Sequence, residues 1–113
     1  MSTTSYEQWD IVLVPFPFTN LKQTKKRPGL IISPDQYNSE GSDVIITFMT
    51  SKLDGLSRKG DYSILNWELS NLPKPTLVRM KFATILSSII IKKLGHLHSS
   101  DISFFSKQLR AFF

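Results

Sequence analysis

Three short runs of aliphatic and β-branched residues, each closed by a proline or a polar stretch, constrain this chain more than anything else in it. Asp10-Ile11-Val12-Leu13-Val14 runs into Pro15, and Gly29-Leu30-Ile31-Ile32-Ser33 into Pro34-Asp35. Val44-Ile45-Ile46-Thr47-Phe48-Met49 follows the polar turn at residues 38–42 and delivers Thr50-Ser51-Lys52 to its end. Runs this short, continuously apolar and bounded by turn residues, read as buried strands. Pro15 has no N–H for a ladder and is expected to stop the first strand. The polar, aperiodic Thr19–Lys26 stretch is expected to be a flexible loop, and Leu53–Lys59 another loop.

Further along, Asp61–Asn66 reads as a fourth strand and Trp67–Leu72 as a single helical turn. Pro73-Lys74-Pro75 imposes an extended approach to a long fifth strand over Leu77–Ile85. Ile89–Leu97 fits a short strand or a helix equally. At the end, Ser99 or Ser100 is placed to cap a helix in which Ile102, Phe105, Leu109 and Phe112 recur at three- and four-residue spacing. Five or six strands and one helix predict a mainly β domain, an antiparallel barrel-like sheet with a C-terminal helix packed on it. At 113 residues and 41% hydrophobic, the chain fits one domain over residues 1–113.

Composition narrows the chemistry. With no cysteine, disulfides, thiolate catalysis and Cys-based metal centres are excluded. Met1–Gln8 is polar and lacks a secretory pattern, and the apolar run Ile85–Ile91 is too short to span a bilayer, so a cytoplasmic location is expected. The formal net charge of +5 favours a polyanionic partner. Its distribution matters more: Lys22, Lys25, Lys26 and Arg27 fall in six residues, with no acid between Asp10 and Asp35.

Cleavage of a phosphodiester requires proton transfer to and from oxygen and stabilisation of charge at phosphorus, and RNA brings its own nucleophile in the 2′-hydroxyl. Arg27, made extended by Pro28 and followed by a rigid strand, is suited to grip a phosphate in two-point fashion. On charge pattern alone, solvated lysines on an ordinary loop are the stronger reading. Thr50 and Ser51 leave a buried strand side by side and offer hydroxyls to a phosphate, although such residues more often form turns. Arg79, inside a strand pattern, fits a site or a plain salt bridge equally. His96 and His98 lack a third ligand or an acidic neighbour in sequence, which favours a surface role over metal binding. Trp9, Phe16, Phe18, Phe48, Phe82, Phe104 and Phe105 are mostly core by the same weighing, with Phe16 or Phe18 placed to stack a base beside the basic stretch.

Five blocks, in order, carry a family pattern: Asp10-Ile-Val-Leu-Val-Pro-Phe-Pro-Phe-Thr-Asn20, Lys25-Lys-Arg-Pro-Gly-Leu-Ile-Ile-Ser33, Ile46-Thr-Phe-Met-Thr-Ser51, Leu72-Pro-Lys-Pro-Thr-Leu-Val-Arg79 and Lys92-Lys-Leu-Gly95. Together they resemble the MazF/PemK family of bacterial toxins over nearly the whole chain. The resemblance implies an SH3-like barrel of the CcdB/PemK type and a homodimer. It also implies a sequence-preferring, metal-independent endoribonuclease that cuts single-stranded RNA to a 2′,3′-cyclic phosphate without a cofactor, and a cognate antitoxin that covers the site. Carried over by position, Arg27, Thr50 and Arg79 would be catalytic, Arg27 stabilising the phosphorane and Thr50 holding the phosphate. Lys22, Lys25, Lys26, Ser51, Lys81 and Phe18 would contact RNA.

Two positions depart from the family pattern. Lys81 stands where many members carry an acid, leaving the general base open between Asp61 or another carboxylate, a lysine of lowered pKa, and an enzyme of low activity. Trp9 stands where glycine commonly precedes the first strand's aspartate, a change expected to affect packing. Two other readings keep the fold: a non-catalytic protein-binding toxin of the gyrase-poisoning kind that uses the Phe112-Phe113 end, and an RNA-binding module without cleavage.

Overall fold

The computed structural model describes residues 5–16, 25–53 and 58–113. Within them, six strands form one sheet: β1 (Asp10–Phe16), β2 (Lys25–Ile31), β3 (Asp43–Thr50), β4 (Tyr62–Ser63), β5 (Leu77–Leu86) and β6 (Lys92–His96), in spatial order β4-β5-β3-β2-β1-β6. Every pairing is antiparallel. A short helix α1 (Asp35–Glu40) joins β2 to β3, a 3-10 turn at Ser87–Ile89 leads from β5 toward β6, and α2 (Ser99–Phe112) follows. The expected mainly antiparallel sheet with a C-terminal helix is what the chain forms.

The central strands are continuously apolar because both faces of the sheet are covered. On one face Ile11, Leu30, Met49, Val78 and Leu97 pack with the fully buried Phe105 of α2. On the other, Val12, Val14, Ile31, Val44, Ile46 and Ile85 form a second core, closed by Ile90. Phe105 meets Trp9 edge-on at 6.1 Å and Tyr62 at 5.6 Å, so the helix stripe read from the sequence seats on aromatic rings.

Several expectations are corrected. Pro15 does not stop β1, which runs on to Phe16 paired with Lys25. The β6 partner has already ended opposite Leu13, so the missing N–H leaves no ladder gap. Lys25 and Lys26, the end of the expected loop, lie instead with Arg27 in the first half of β2, and residues 19–24 of that loop lie outside the described residues. The fourth strand shrinks to Tyr62–Ser63, since Leu65 and Asn66 give their N–H groups to Asp101 instead of a neighbouring strand. Helix α1 replaces part of the expected turn. Ile89–Leu97 resolves as the 3-10 turn and β6. Phe104, counted with the core, is 55% exposed. Helix α2 is capped by neither serine: His98 is the N-cap, its Nδ1 accepting from the Ser100 N–H at 3.3 Å.

The single helical turn expected at Trp67–Leu72 is present and ends in a Schellman arrangement. Leu72 N–H reaches Trp67 O at 3.0 Å, Asn71 N–H reaches Glu68 O at 3.1 Å, and Asn71 is left-handed at φ 66°. Gly95 of β6 lies against this turn so closely that a Cβ there would sit 2.1 Å from Ser70 O. Backbone cannot yield as a side chain can, so Gly95→Ala is expected to cost about 3 kcal/mol by chemical denaturation. A loss below about 0.5 kcal/mol, the scale of an uneventful substitution, would contradict this close approach.

Trp9 adopts φ 75°, a left-handed backbone that costs a non-glycine residue about 1–2 kcal/mol. The position where the family commonly has glycine is therefore one that glycine suits, and this chain offsets the strain by packing the indole against Phe105.

Candidate active site

The ends of four strands converge at one corner of the sheet. Ile32 donates its N–H to Ile45 O on the β3 side, and main-chain groups alternate direction along a strand, so Pro28 also faces β3. It has no N–H to give, and the β2–β3 pairing ends beside it, at Gly29↔Phe48. Carried two residues further, that register sets Arg27 across from Thr50, with the ladder already open between them.

A bulge supplies the next wall. Thr47 pairs with Phe82 but Met49 pairs with Val78, so Phe48 alone on β3 opposes Arg79, Met80 and Lys81 on β5. The fully buried Thr47 hydroxyl fills the gap, donating to Arg79 O and accepting from Lys81 N–H at 3.3 Å. Arg79 and Lys81 consequently line one small pocket with Phe16, Phe48, Arg27 and Thr50, about 200 Å³ in volume. Phe16 and Phe48 meet edge-on at 5.3 Å. An adjoining pocket of about 270 Å³ shares Arg27 and Thr50 and adds Lys26, Ser51, Lys52 and Lys74.

Together the two pockets are lined by six cations, Lys26, Arg27, Lys52, Lys74, Arg79 and Lys81, and by no carboxylate or imidazole among the described residues. Such a cleft concentrates positive potential and attracts a polyanion. Thr50 Oγ accepts the Lys52 N–H at 3.1 Å, which orients the side chain and leaves its proton to donate to a bound oxygen. Arg79 Nη1 lies 3.3 Å from Asp61 Oδ2. One donor of the guanidinium is thus used, and the others remain for a ligand.

Of the residues singled out from sequence, Arg27, Thr50, Ser51, Lys26, Arg79 and Lys81 come together here. Lys25 is exposed on β2 but lines neither pocket, and Lys22 and Phe18 lie outside the described residues. Asp61 lines neither of these two pockets. Its side chain is 6% exposed and bound to Arg79 and to the Arg58 N–H at 2.9 Å, so it braces Arg79 from behind. Lys52 and Lys74 were missed. Lys52 directly follows the two hydroxyl residues, and Lys74 sits between the two prolines of an already singled-out block.

His96 ends β6 and His98 caps α2. His96 does have an acidic partner, distant in sequence. Its Nδ1 is 2.8 Å from Asp10 Oδ1, which Lys93 also approaches at 3.2 Å, while Asp10 Oδ2 takes the Glu7 N–H at 2.9 Å. With both oxygens of this buried carboxylate engaged, the cluster ties β6 to β1.

The fold has close counterparts among solved structures. An endoribonuclease in complex with its cognate antitoxin, from a mycobacterial species, superposes with TM-score 0.73 at 14% identity, over 96% of this chain and 93% of that one. The toxin MazF-mt6 of Mycobacterium tuberculosis gives 0.71 at 19% identity, over 91% and 95%. A MazE–MazF structure from Deinococcus radiodurans gives 0.73 at 17% identity, over 97% and 96%. No curated protein sequence matches significantly. Among the described residues, no helix is long and apolar enough to cross a membrane. The sequence profile of the PemK-like, MazF-like toxins matches residues 7–113. The chain therefore belongs to the PemK-like, MazF-like toxins of type II toxin–antitoxin systems.

Proposed function

We propose that this toxin is an endoribonuclease that cuts single-stranded RNA in the cleft around Arg27 and Thr50, the 2′-hydroxyl attacking phosphorus and displacing the 5′-oxygen, to leave a 2′,3′-cyclic phosphate and a 5′-hydroxyl end. The observation that carries this reading is the cleft itself: two arginines and a threonine hydroxyl meet at one corner, ringed by lysines, with no described acid to repel a phosphate. Arg27 and Arg79 stabilise charge on the phosphorane and Thr50 donates to a non-bridging oxygen. The described lining offers no carboxylate or imidazole to hold a divalent cation, so its donor set does not suit metal-assisted cleavage. The 2′-hydroxyl proton passes to a non-bridging phosphate oxygen of the substrate, and the departing 5′-oxygen takes a proton from a lysine ammonium of the cleft.

Two partners belong to this reading: a second copy of the chain, forming a homodimer, and a cognate antitoxin whose acidic or amphipathic segment covers the cationic cleft. The mycobacterial endoribonuclease and the Deinococcus MazF fold similarly and are seen with their antitoxins. The reaction is tested by end-mapping single-stranded RNA incubated with purified protein in EDTA. Discrete cuts ending in 2′,3′-cyclic phosphate are expected, and intact RNA or 3′-hydroxyl ends would refute the proposal.

Asp61 enters as a positioning residue. Asp61→Asn keeps an acceptor for the Arg58 N–H but removes the charge that holds Arg79. Cleavage is expected to fall about ten- to a hundredfold, in kcat more than in KM. An unchanged kcat in the folded variant would show that the Arg79 guanidinium needs no brace.

A further inference from the structure

A third pocket, of about 330 Å³, continues the cleft past Arg79 and Lys81, which line both, and adds Arg58, Lys59 and Phe112. The two added cations sit on a built turn. Asp61 N–H donates to Arg58 O at 3.0 Å, Arg58 N–H donates to Asp61 Oδ2 at 2.9 Å, and Gly60 takes φ 92°, the left-handed value a type II turn requires at that place. Helix α2 fixes this turn from outside, since Gln108 Nε2 donates to Gly60 O at 2.7 Å and to Asp61 O at 3.0 Å. The one carboxylate present, Asp61, is buried and paired with Arg79, so the pocket's outward charge is positive.

Beside these cations stands an aromatic platform. Phe113 is 86% exposed, with Phe82 at 5.6 Å tilted by 31° and Phe112 edge-on at 5.3 Å. Phe112 in turn lies against Gly60, where an added Cβ would meet its Cδ1 at 3.0 Å. An exposed ring held by two others loses little conformational freedom on taking a planar ligand. A ring beside a cationic groove is the pairing that single-stranded nucleic acids exploit, bases on the ring and phosphates on the cations.

We propose that this pocket is a second nucleotide subsite for single-stranded RNA, in which Phe113, packed outside it against the lining Phe112, stacks a base flanking the cleavage position and Arg58 and Lys59 hold the adjoining phosphate. The proposal rests on the reading of the Arg27 cleft as an RNA site, with which the pocket is continuous through Arg79 and Lys81. Four cations around one neutralised carboxylate match a phosphate backbone better than an apolar protein segment.

Fluorescence anisotropy with 2′-O-methyl oligouridylates, which lack the attacking hydroxyl, separates binding from cleavage. Probes of about four and about ten nucleotides bracket one subsite and the whole track. Phe113→Ala is expected to weaken the longer probe about tenfold and the shorter one little, with Phe113→Trp restoring the longer. Joint Arg58→Ala and Lys59→Ala substitution is expected to flatten the salt dependence for the longer probe by about 1.4 in log–log slope, about 0.7 per lost phosphate contact. This slope decides the matter should Phe113→Ala not fold. Equal affinity of folded Phe113→Ala and wild type for the longer probe would overturn the subsite. So would a dimer that dissociates in Phe113→Ala at unchanged RNA affinity, since the ring would then serve a second copy of the chain. Should the length and salt effects hold while RNA stays uncut, the subsite stands and the cleavage reading falls. Should RNA be cut and neither effect appear, the reverse holds.

Discussion

Arg27→Ala is expected to reduce cutting of single-stranded RNA in EDTA by about a thousandfold, the scale of losing a preorganised charged donor at the reacting phosphate. The size follows from where Arg27 stands. It is half-buried on a paired strand, opposite Val14 on one side and at the open end of the ladder on the other, so its guanidinium is aimed from a fixed base. Among the described residues no carboxylate lies in salt-bridge range of it, which leaves its donors to the substrate. Arg27→Lys keeps the charge but loses the planar fork, and is expected to recover little. Removing Lys25, exposed on the same strand and outside both pockets, should instead weaken binding modestly and in a salt-dependent way. Single-turnover rates on one substrate, with thermal melts to confirm folding, distinguish these outcomes. Comparable losses for Arg27→Ala and Lys25→Ala would mean that the stretch steers RNA and that Arg27 does no chemistry.

The strands with strong local signals were readable from the sequence because burial on both faces leaves a continuous apolar run, as in Val44–Met49. The helix stripe through Phe105 was equally readable from its spacing. What failed locally was decided by distant partners. The shortened β4 depends on Asp101, which takes the N–H groups of Leu65 and Asn66 from a helix thirty-odd positions away. His98 takes the capping role from two serines because it already stands at the helix entrance, its own N–H held by Ser70 Oγ at 2.9 Å. Pro15 looked like a strand end because the missing donor is visible in sequence, whereas the early end of its β6 neighbour is not.

The candidate site was legible in kind but not in arrangement. Charge clustering and the block pattern pointed to Arg27, Thr50 and Arg79, yet the β5 bulge that throws Arg79 and Lys81 into one pocket is invisible in Val78-Arg79-Met80-Lys81, which reads as ordinary strand. The role of Asp61 was likewise open. Only the fold shows its carboxylate paired with Arg79 and outside the two pockets that Arg27 lines.

Asp101→Ala is expected to destabilise the protein by about 4 kcal/mol, enough to threaten folding at 37 °C in a domain whose total stability is about 5–15 kcal/mol. The carboxylate is fully buried yet accepts from Tyr62 Oη at 2.5 Å, Leu65 N–H at 2.8 Å and Asn66 N–H at 2.8 Å. Alanine would strand all three donors, each costing about 1–3 kcal/mol when left buried and unpaired, less whatever water recovers. Burial first, then the hydrogen bond to Asp101 and its charge, push the Tyr62 phenol far above its ordinary range, so the ring stays a neutral donor. Asp101→Asn keeps an acceptor oxygen but turns an N–H₂ toward groups that are themselves donors, and should lose about half as much. The damage should reach the cleft, because the same junction seats α2 against the segment carrying Asp61, and Gln108 of α2 holds the 60–61 carbonyls. Denaturation midpoints measure the stability loss. Cleavage rates below the melting range show whether Arg79 has lost its brace. Were Asp101→Ala to melt within about 0.5 kcal/mol of the wild type, the three donors would have found other partners and this carboxylate would not organise the junction.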